Sequence, residues 1–270
     1  MPIAKTDQRA LDALQKAKSR QEALAAYLDF YTELMQAQFE FKTNLSGEPH
    51  SAPPAVHRQR LADGLAQLTF EQLGVTAEPL ASLAVHLWDV MVSYNPEWAA
   101  EREAWAPDEL LALVRQEFET QSPFHAPPAT DRKPADVLIR LALAPYLQRA
   151  AEALLPLLDL KDWRRGYCPI CGGQPHFAAL RGEGERWLLC SRCNAEWPSA
   201  RLECPFCSNT DPSRLAYYPG QDGVYRLYVC HACRRYLKTI DLRLAQDRIL
   251  SVEPILTIDM DLAARQEGFH

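Results

Sequence analysis

The chain has 270 residues, 47% of them hydrophobic and 24% charged, which is the composition of an ordinary folded protein. Its formal net charge of −6 argues against a dedicated nucleic-acid binder, because such proteins usually carry a basic surplus. Four charged residues interrupt the most apolar segment, residues 137–160, which therefore predicts a buried helix and no membrane span. The first residues lack the apolar core of a secretory signal, so we expect a cytoplasmic protein.

The first part of the chain, residues 7–160, is predicted to be helical. Its apolar residues recur at steps of three and four, the period of one buried helical face; one such run is Leu80, Leu83, Ala84, Leu87, Val90 and Met91. Two proline-rich segments, residues 46–54 and 122–128, predict loops between helices. We therefore expect a bundle of five to seven helices over residues 1–163.

The pattern changes after residue 166. Four short segments rich in aromatic or branched residues (176–180, 186–189, 214–218 and 224–229) predict strands, and glycine-containing turns divide them into two consecutive hairpins. Residues 253–268 regain helical spacing and predict a short helical tail.

All eight cysteines lie in this second part of the chain, arranged as four Cys-x-x-Cys pairs: Cys168/Cys171, Cys190/Cys193, Cys204/Cys207 and Cys230/Cys233. In a reducing compartment such thiols are expected to be metal ligands and not disulfides. A two-residue spacing lets a tight turn direct both sulfurs at one ion, and two such turns complete a tetrahedral shell. The eight cysteines therefore predict two metal sites of four thiolates each.

The pairing of the turns follows from the predicted hairpins. Loop-closure entropy distinguishes sequential from nested pairing by only about 0.3 kcal/mol, too little to decide between them. In the sequential arrangement each gap contains one hairpin, which returns the chain to its starting point. We therefore assign Cys168, Cys171, Cys190 and Cys193 to one site, and Cys204, Cys207, Cys230 and Cys233 to the other.

The predicted architecture is thus α+β. An N-terminal all-α bundle (residues 1–163) precedes two tandem rubredoxin-like or zinc-ribbon modules (164–202 and 203–250) and a C-terminal tail (251–270). Gly172, directly after the first cysteine pair, is expected to supply the backbone freedom that such a turn needs. Metal binding would supply folding free energy that these small modules lack.

Spacing alone leaves the ion and its role open. Zinc and iron both accept four thiolates tetrahedrally, and iron could exchange one electron whereas zinc could not. Both ions could also be purely structural. His176 and His231 lie near the cysteine turns, but we expect surface roles for them because four cysteines already complete each shell. No phosphate-binding glycine loop, nucleophile elbow or zinc-protease motif occurs, so no enzyme is predicted.

The charge of the cysteine-rich part tests a nucleic-acid role. Residues 161–248 contain 14 Lys and Arg against 9 Asp and Glu, a surplus that two tetrathiolate sites would nearly cancel. Four tyrosines lie among these arginines, and they are expected to pack the hairpins or face a protein partner. A zinc-ribbon nucleic-acid binder or structural interaction protein remains the alternative interpretation, although the remainder of the chain carries −11.

The cysteine motifs resemble those of the formate dehydrogenase accessory proteins, the FdhE family. The resemblance rests on Cys168-Pro-Ile-Cys-Gly172, Arg186-Trp-Leu-Leu-Cys-Ser-Arg-Cys193, Trp197, Arg201, Cys204-Pro-Phe-Cys207, Cys230-His-Ala-Cys233 and the tail segments 257–263 and 266–269. It extends over nearly the whole chain. Pro254 departs from the family pattern, and the chain ends sooner than some members do.

This resemblance implies a cytoplasmic protein without catalytic turnover that binds the molybdenum- or tungsten-containing catalytic subunit of formate dehydrogenase and helps to form the active enzyme. It also implies two rubredoxin-like iron sites, one iron per four-cysteine set, with zinc as the alternative. No nucleic-acid partner is expected, and the prediction allows for a homodimer.

Overall fold

The fold is given by a computed structural model that describes residues 2–46, 52–120 and 133–270. Its helices are α1 (Lys5–Lys18), α2 (Ala25–Asn44), α3 (Pro54–Ala62), α4 (Ala77–Tyr94), α5 (Pro107–Thr120), α6 (Pro134–Leu154), α7 (Glu253–Leu256) and α8 (Ile258–Gln266). Its strands are β1 (Pro175–Arg181), β2 (Glu185–Cys190), β3 (Glu196–Ser199), β4 (Leu215–Pro219), β5 (Tyr225–Cys230) and β6 (Tyr236–Asp241).

The chain divides into two compact units. Among the described residues, the first unit combines 2–46, 68–120 and 133–150, and the second combines 52–67 and 151–270. The α+β class is confirmed, with helices preceding a sheet that carries the cysteines. The predicted loop at 122–128 and most of the one at 46–54 lie outside the described residues. The domain boundaries drawn from the sequence stay predictions.

The first unit is helical. Within it α2 packs on α1 and on α4, and α4 packs on α5. The apolar faces that the sequence pattern indicates form its core, in which the largest fully buried side chains are Leu14, Leu28, Leu80, Leu87, Met91, Leu143 and Leu147. An ion pair is buried in this unit: the ammonium group of Lys42 in α2 lies 2.8 Å from the carboxylate of Asp7 in α1.

The second unit is built on one six-stranded sheet with the order β3-β2-β1-β6-β5-β4. Each predicted hairpin is present, β1–β2 and β4–β5, and each continues into a third antiparallel strand. The two three-stranded ribbons join where β1 and β6 pair in parallel, with Phe177 opposite Lys238. The sequence pattern did not indicate β3 or β6, nor that the modules share a sheet.

This junction gives the two ribbons a common core. Phe177, Ala179, Leu189 and Ile240 come from β1, β2 and β6 and pack together with Leu250. A single ribbon contributes few apolar residues, and the shared sheet therefore buries more apolar surface than either ribbon would alone.

The predicted C-terminal helical tail is also present, as α7 and α8. Ala264 and Phe269 of the tail pack against Leu227 and Val229 of β5. Beneath α7 and α8 the ammonium group of Lys238 is almost fully buried; it donates to the carbonyl oxygens of Pro254 and Thr257 and lies 2.5 Å from the Asp261 carboxylate. Burial lowers the pKa of Lys238, and the Asp261 carboxylate partly opposes that shift.

Lys238 therefore anchors the tail, and replacing it with Met tests this. Lys238→Met removes the ammonium group from two carbonyl groups and from Asp261, which keeps only the Tyr236 hydroxyl, and we expect a loss of about 3 kcal/mol in the free energy of unfolding. Lys161 is the control, because its side chain is 86% exposed and 4.0 Å from Asp159. Lys161→Met should change stability by no more than about 0.5 kcal/mol. Equal urea midpoints for both variants would contradict the anchoring role.

Candidate metal centres

The four Cys-x-x-Cys turns share one backbone geometry. In each turn the first cysteine's N–H donates to the carbonyl five residues later: Cys168 to Gly173, Cys190 to Ala195, Cys204 to Asn209 and Cys230 to Arg235, at 2.8–2.9 Å. The residue directly after the second cysteine is always left-handed, with φ of 73° at Gly172, 57° at Asn194, 54° at Ser208 and 59° at Arg234. The expected role of Gly172 is thus confirmed, and the other turns adopt the same conformation without glycine.

These turns bring the cysteines together in the two groups that the hairpins predict. In the first cluster the sulfur of Cys171 lies 3.5 Å from those of Cys190 and Cys193, and Cys168 lies 3.6 Å from Cys193. In the second cluster the Cys204–Cys233 and Cys207–Cys230 sulfur distances are both 3.7 Å. Within each cluster the four sulfurs all lie within 4.8 Å of one another.

These distances match a tetrahedral metal shell. A metal–sulfur bond of about 2.3 Å places the corners of a tetrahedron about 3.8 Å apart, close to the observed separations. A disulfide would require about 2.05 Å, and all eight cysteines are free thiols. Each cluster could therefore hold one metal ion with four sulfur ligands, which leaves no open position on a four-coordinate ion.

The electrostatics of the clusters also favour a bound cation. Burial raises the pKa of the Cys168 and Cys193 thiols well above the ordinary value. In the second cluster burial raises the pKa of Cys204 and brings that of Cys233 to about 11. Four thiolates crowded into such a space repel one another, and a positive ion at the centre is what makes them stable together. Backbone N–H groups assist, because Ile170 and Arg192 each donate to a cluster sulfur, at 3.3 Å and 3.4 Å.

The two clusters differ in exposure. All four cysteines of the first cluster are buried, whereas in the second Cys207 is exposed and Cys233 is half-buried. The spacing of the pairs gives no sign of this difference, since all four pairs are alike. It arises from the surroundings, because the segment that ends at Gln67 is hydrogen-bonded to the turn of the first cluster at Pro169, whereas Cys207 and Ser208 of the second cluster's first turn are exposed.

The two histidines near the turns differ from each other. His231 is exposed, as expected, and its ring contacts that of Phe269 edge-on at 5.5 Å. For His176 the surface expectation was wrong: its Nε2 atom is buried, with no hydrogen-bond partner in the described part of the chain. Burial, reinforced by Lys238, lowers the pKa of His176 to about 3, so the ring is neutral. Neither histidine is part of a sulfur cluster.

One residue that organises the region was not evident as such from the sequence. Arg186 of β2 is 3% exposed, and its guanidinium donates to the Ser199 hydroxyl and to the carbonyls of Ala200 and Glu203. It thereby fixes the connection between the two ribbons. Trp197 is also fully buried, and its indole N–H donates to the Arg165 carbonyl at 3.0 Å. The available signal was an arginine directly before the apolar run of residues 187–189 in β2.

The fold and the sites define a class: a protein with a helical unit and a sheet of two ribbons, each carrying four clustered thiols. Comparison with known proteins shows which family the chain is similar to. Residues 167–201 match the family description "FdhE, central domain". A protein named FdhE homolog from Stutzerimonas stutzeri is 28% identical across 100% of this chain and 90% of its own length. Another from Aquifex aeolicus is 30% identical over 142 residues, which is 50% of each chain.

The fold is similar to that of a solved structure as well. The crystal structure of the FdhE protein from Pseudomonas aeruginosa matches with a TM-score of 0.68 and covers 100% of this chain and 94% of that chain, at 22% identity. The similarity to the FdhE family that the cysteine motifs indicated is therefore confirmed.

The left-handed residues offer a test of the turn geometry. A methyl group on Gly172 would meet only the Ala66 side chain at 3.7 Å, so Gly172→Ala should cost only the left-handed strain, about 1–2 kcal/mol. Ser208→Gly removes the same strain and should stabilise by up to about 1 kcal/mol, because part of the gain is offset by a freer unfolded chain. Urea unfolding at the same zinc concentration in every sample measures the change in the free energy of unfolding for both variants. A loss of stability in both variants would contradict the account.

Proposed function

We propose that this chain is a non-catalytic accessory protein for the formation of active formate dehydrogenase, and that it binds the molybdenum- or tungsten-containing catalytic subunit. The observation that carries this proposal is the similarity to proteins named FdhE homolog along the whole chain, together with the family's central domain at residues 167–201. The two complete four-cysteine clusters lie in the same part of the chain.

The chemistry of the clusters supports a role other than catalysis. With four protein sulfurs at each cluster, a tetrahedral ion has no position left for a substrate. Catalytic metal sites keep such a position, whereas structural and electron-transfer sites do not. All eight cysteines, Cys168, Cys171, Cys190, Cys193, Cys204, Cys207, Cys230 and Cys233, are proposed as ligands.

We propose iron as the ion, one per cluster, with zinc as the alternative. A tetrathiolate iron would supply one-electron chemistry, and the backbone N–H groups of Ile170 and Arg192 are placed to stabilise the negative charge on the sulfurs. Zinc would give the same geometry without electron transfer. In either case the ion holds together turns that lie at the ends of the shared sheet.

A nucleic-acid role has less support. The whole chain is acidic, with a formal charge of −6, and the arginines of the sheet are largely engaged within the protein. Arg226 and Arg243 both pair with the buried carboxylate of Asp241, and Arg181 pairs with Glu196.

No helix in residues 2–46, 52–120 or 133–270 has the length and apolarity to cross a membrane.

The accessory role is tested in cells from which this protein has been removed. We expect formate dehydrogenase activity to fall at least tenfold while the catalytic subunit is still made, and plasmid-borne wild-type protein to restore it. Affinity purification of the wild-type protein should recover the catalytic subunit. Undiminished activity without the protein would contradict the proposal.

The metal assignment is tested by native mass spectrometry and elemental analysis of protein purified without oxygen. Wild-type protein should carry two ions, and iron should give a visible thiolate absorption that bleaches on reduction. Cys168→Ala should carry one ion, because it opens only the first cluster, and Cys233→Ala should likewise carry one. Two ions retained in either variant would contradict the assignment of ligands, and two zinc ions in wild-type protein would exclude the iron proposal.

A further inference from the structure

A small cavity opens beside the second cysteine cluster. It has a volume of about 110 Å³, and Cys204 and Cys230 form part of its wall. The remaining wall is mostly apolar and aromatic, with Phe206, Tyr217 and Tyr228 among its residues. The rings of Tyr217 and Tyr228 stack at 5.4 Å and make a flat side to the cavity.

The rim of this cavity exposes apolar side chains to solvent. Leu202, on the connection between the ribbons, is 80% exposed, and Tyr217 on the edge strand β4 is 52% exposed. Both residues line the cavity. Large apolar side chains exposed around a concave apolar site are typical of a surface that meets another protein.

Two of the residues that line the cavity each contain a buried polar atom without a partner. The Nε atom of Arg186 and the hydroxyl of Tyr228 are buried and have no hydrogen-bond partner among the described residues. Arg186 is 3% exposed, and burial lowers its pKa to about 10, so it stays charged near neutral pH. Both groups can donate a hydrogen bond, and an unpaired buried donor is costly. A carboxylate or carbonyl from outside would therefore stabilise the site once a small shift of the wall side chains opens these atoms to the cavity.

A carboxylate is the better acceptor, because its hydrogen bonds with a guanidinium are charge-assisted. Three arginines, Arg186, Arg201 and Arg235, line the cavity together with one acidic residue, Glu203. The adjoining four-thiolate site would offset part of this positive charge, so the argument for a carboxylate depends on the guanidinium donors themselves. The guanidinium of Arg235 lies over the Phe206 ring at 4.2 Å and donates to Gln174, so it is held in place at the wall.

From these observations we infer that the cavity docks a short segment of the client catalytic subunit, in which one large apolar side chain (Leu, Met or Phe) is followed closely by an acidic residue. The apolar side chain fills the cavity between Leu202 and the two stacked tyrosines, and the carboxylate accepts from Arg186 and Tyr228. This inference rests on the proposed function, because the occupant is the client of that function. It places this protein's client-binding surface on the second ribbon, next to the more exposed of the two sulfur clusters.

The test measures binding of the purified, metal-loaded protein to the purified catalytic subunit by isothermal titration. Leu202→Asp places a charge at the rim and should weaken binding at least tenfold. Leu244→Asp is the matched control, because Leu244 is 61% exposed and does not line the cavity, and it should change binding less than twofold. Tyr228→Phe keeps the stacked ring but removes the hydroxyl, and should weaken binding about threefold to tenfold. Circular dichroism and metal content verify that each variant is folded.

The outcomes separate this inference from the proposed function. Tight binding that Leu202→Asp leaves unchanged would overturn the docking site and leave the accessory role intact. Equal weakening by Leu202→Asp and Leu244→Asp would also overturn it, because the effect would then be one of general charge. Failure of the wild-type protein to bind the subunit would overturn the proposed function and this inference with it. Analytical sedimentation tests whether a second copy of this chain occupies the cavity instead. If the wild-type protein is a dimer and Leu202→Asp is a monomer, the cavity binds another copy of this chain and the proposed client docking is overturned.

Discussion

The mutual repulsion of closely spaced sulfurs governs the second unit. Each cluster holds four thiols within 4.8 Å, and burial opposes their ionisation. Such a group is stable as thiolates only around a cation, so a bound ion and the fold would depend on each other. The four turns meet this requirement with one repeated backbone arrangement: the N–H of the first cysteine donates to the carbonyl five residues later, and the residue after the second cysteine is left-handed. The sheet then only has to bring the turns together in pairs.

Much of this arrangement could be predicted from the sequence because it is local. The Cys-x-x-Cys spacing, the two hairpins between the pairs and the glycine-rich turns all act over fewer than thirty residues. They were sufficient to assign Cys168 and Cys171 to the same cluster as Cys190 and Cys193. The helical half was predictable for the same reason, since its apolar period of three and four residues is that of the buried faces in α2 and α4.

The features that could not be predicted depend on distant partners. Strand β3 contains Pro198, which counts against a strand in any local reading, and it exists as an edge strand paired with β2 only. Strand β6 finds its parallel partner β1 about sixty residues earlier in the chain, and no local pattern records such a pairing. No local pattern indicates the burial of the His176 Nε2 atom either. Unequal exposure of the two clusters likewise follows from this tertiary packing.

The parallel junction between β1 and β6 also determines the order in which the protein can be completed. During synthesis β1 and β2 emerge first, but the other edge of β1 stays open until about fifty further residues have left the ribosome and β6 can pair with it. In that interval the first ribbon presents an unpaired strand and an incomplete core centred on Phe177. An ion captured early by the first cluster would hold this half-built sheet together until β6 is available to complete it.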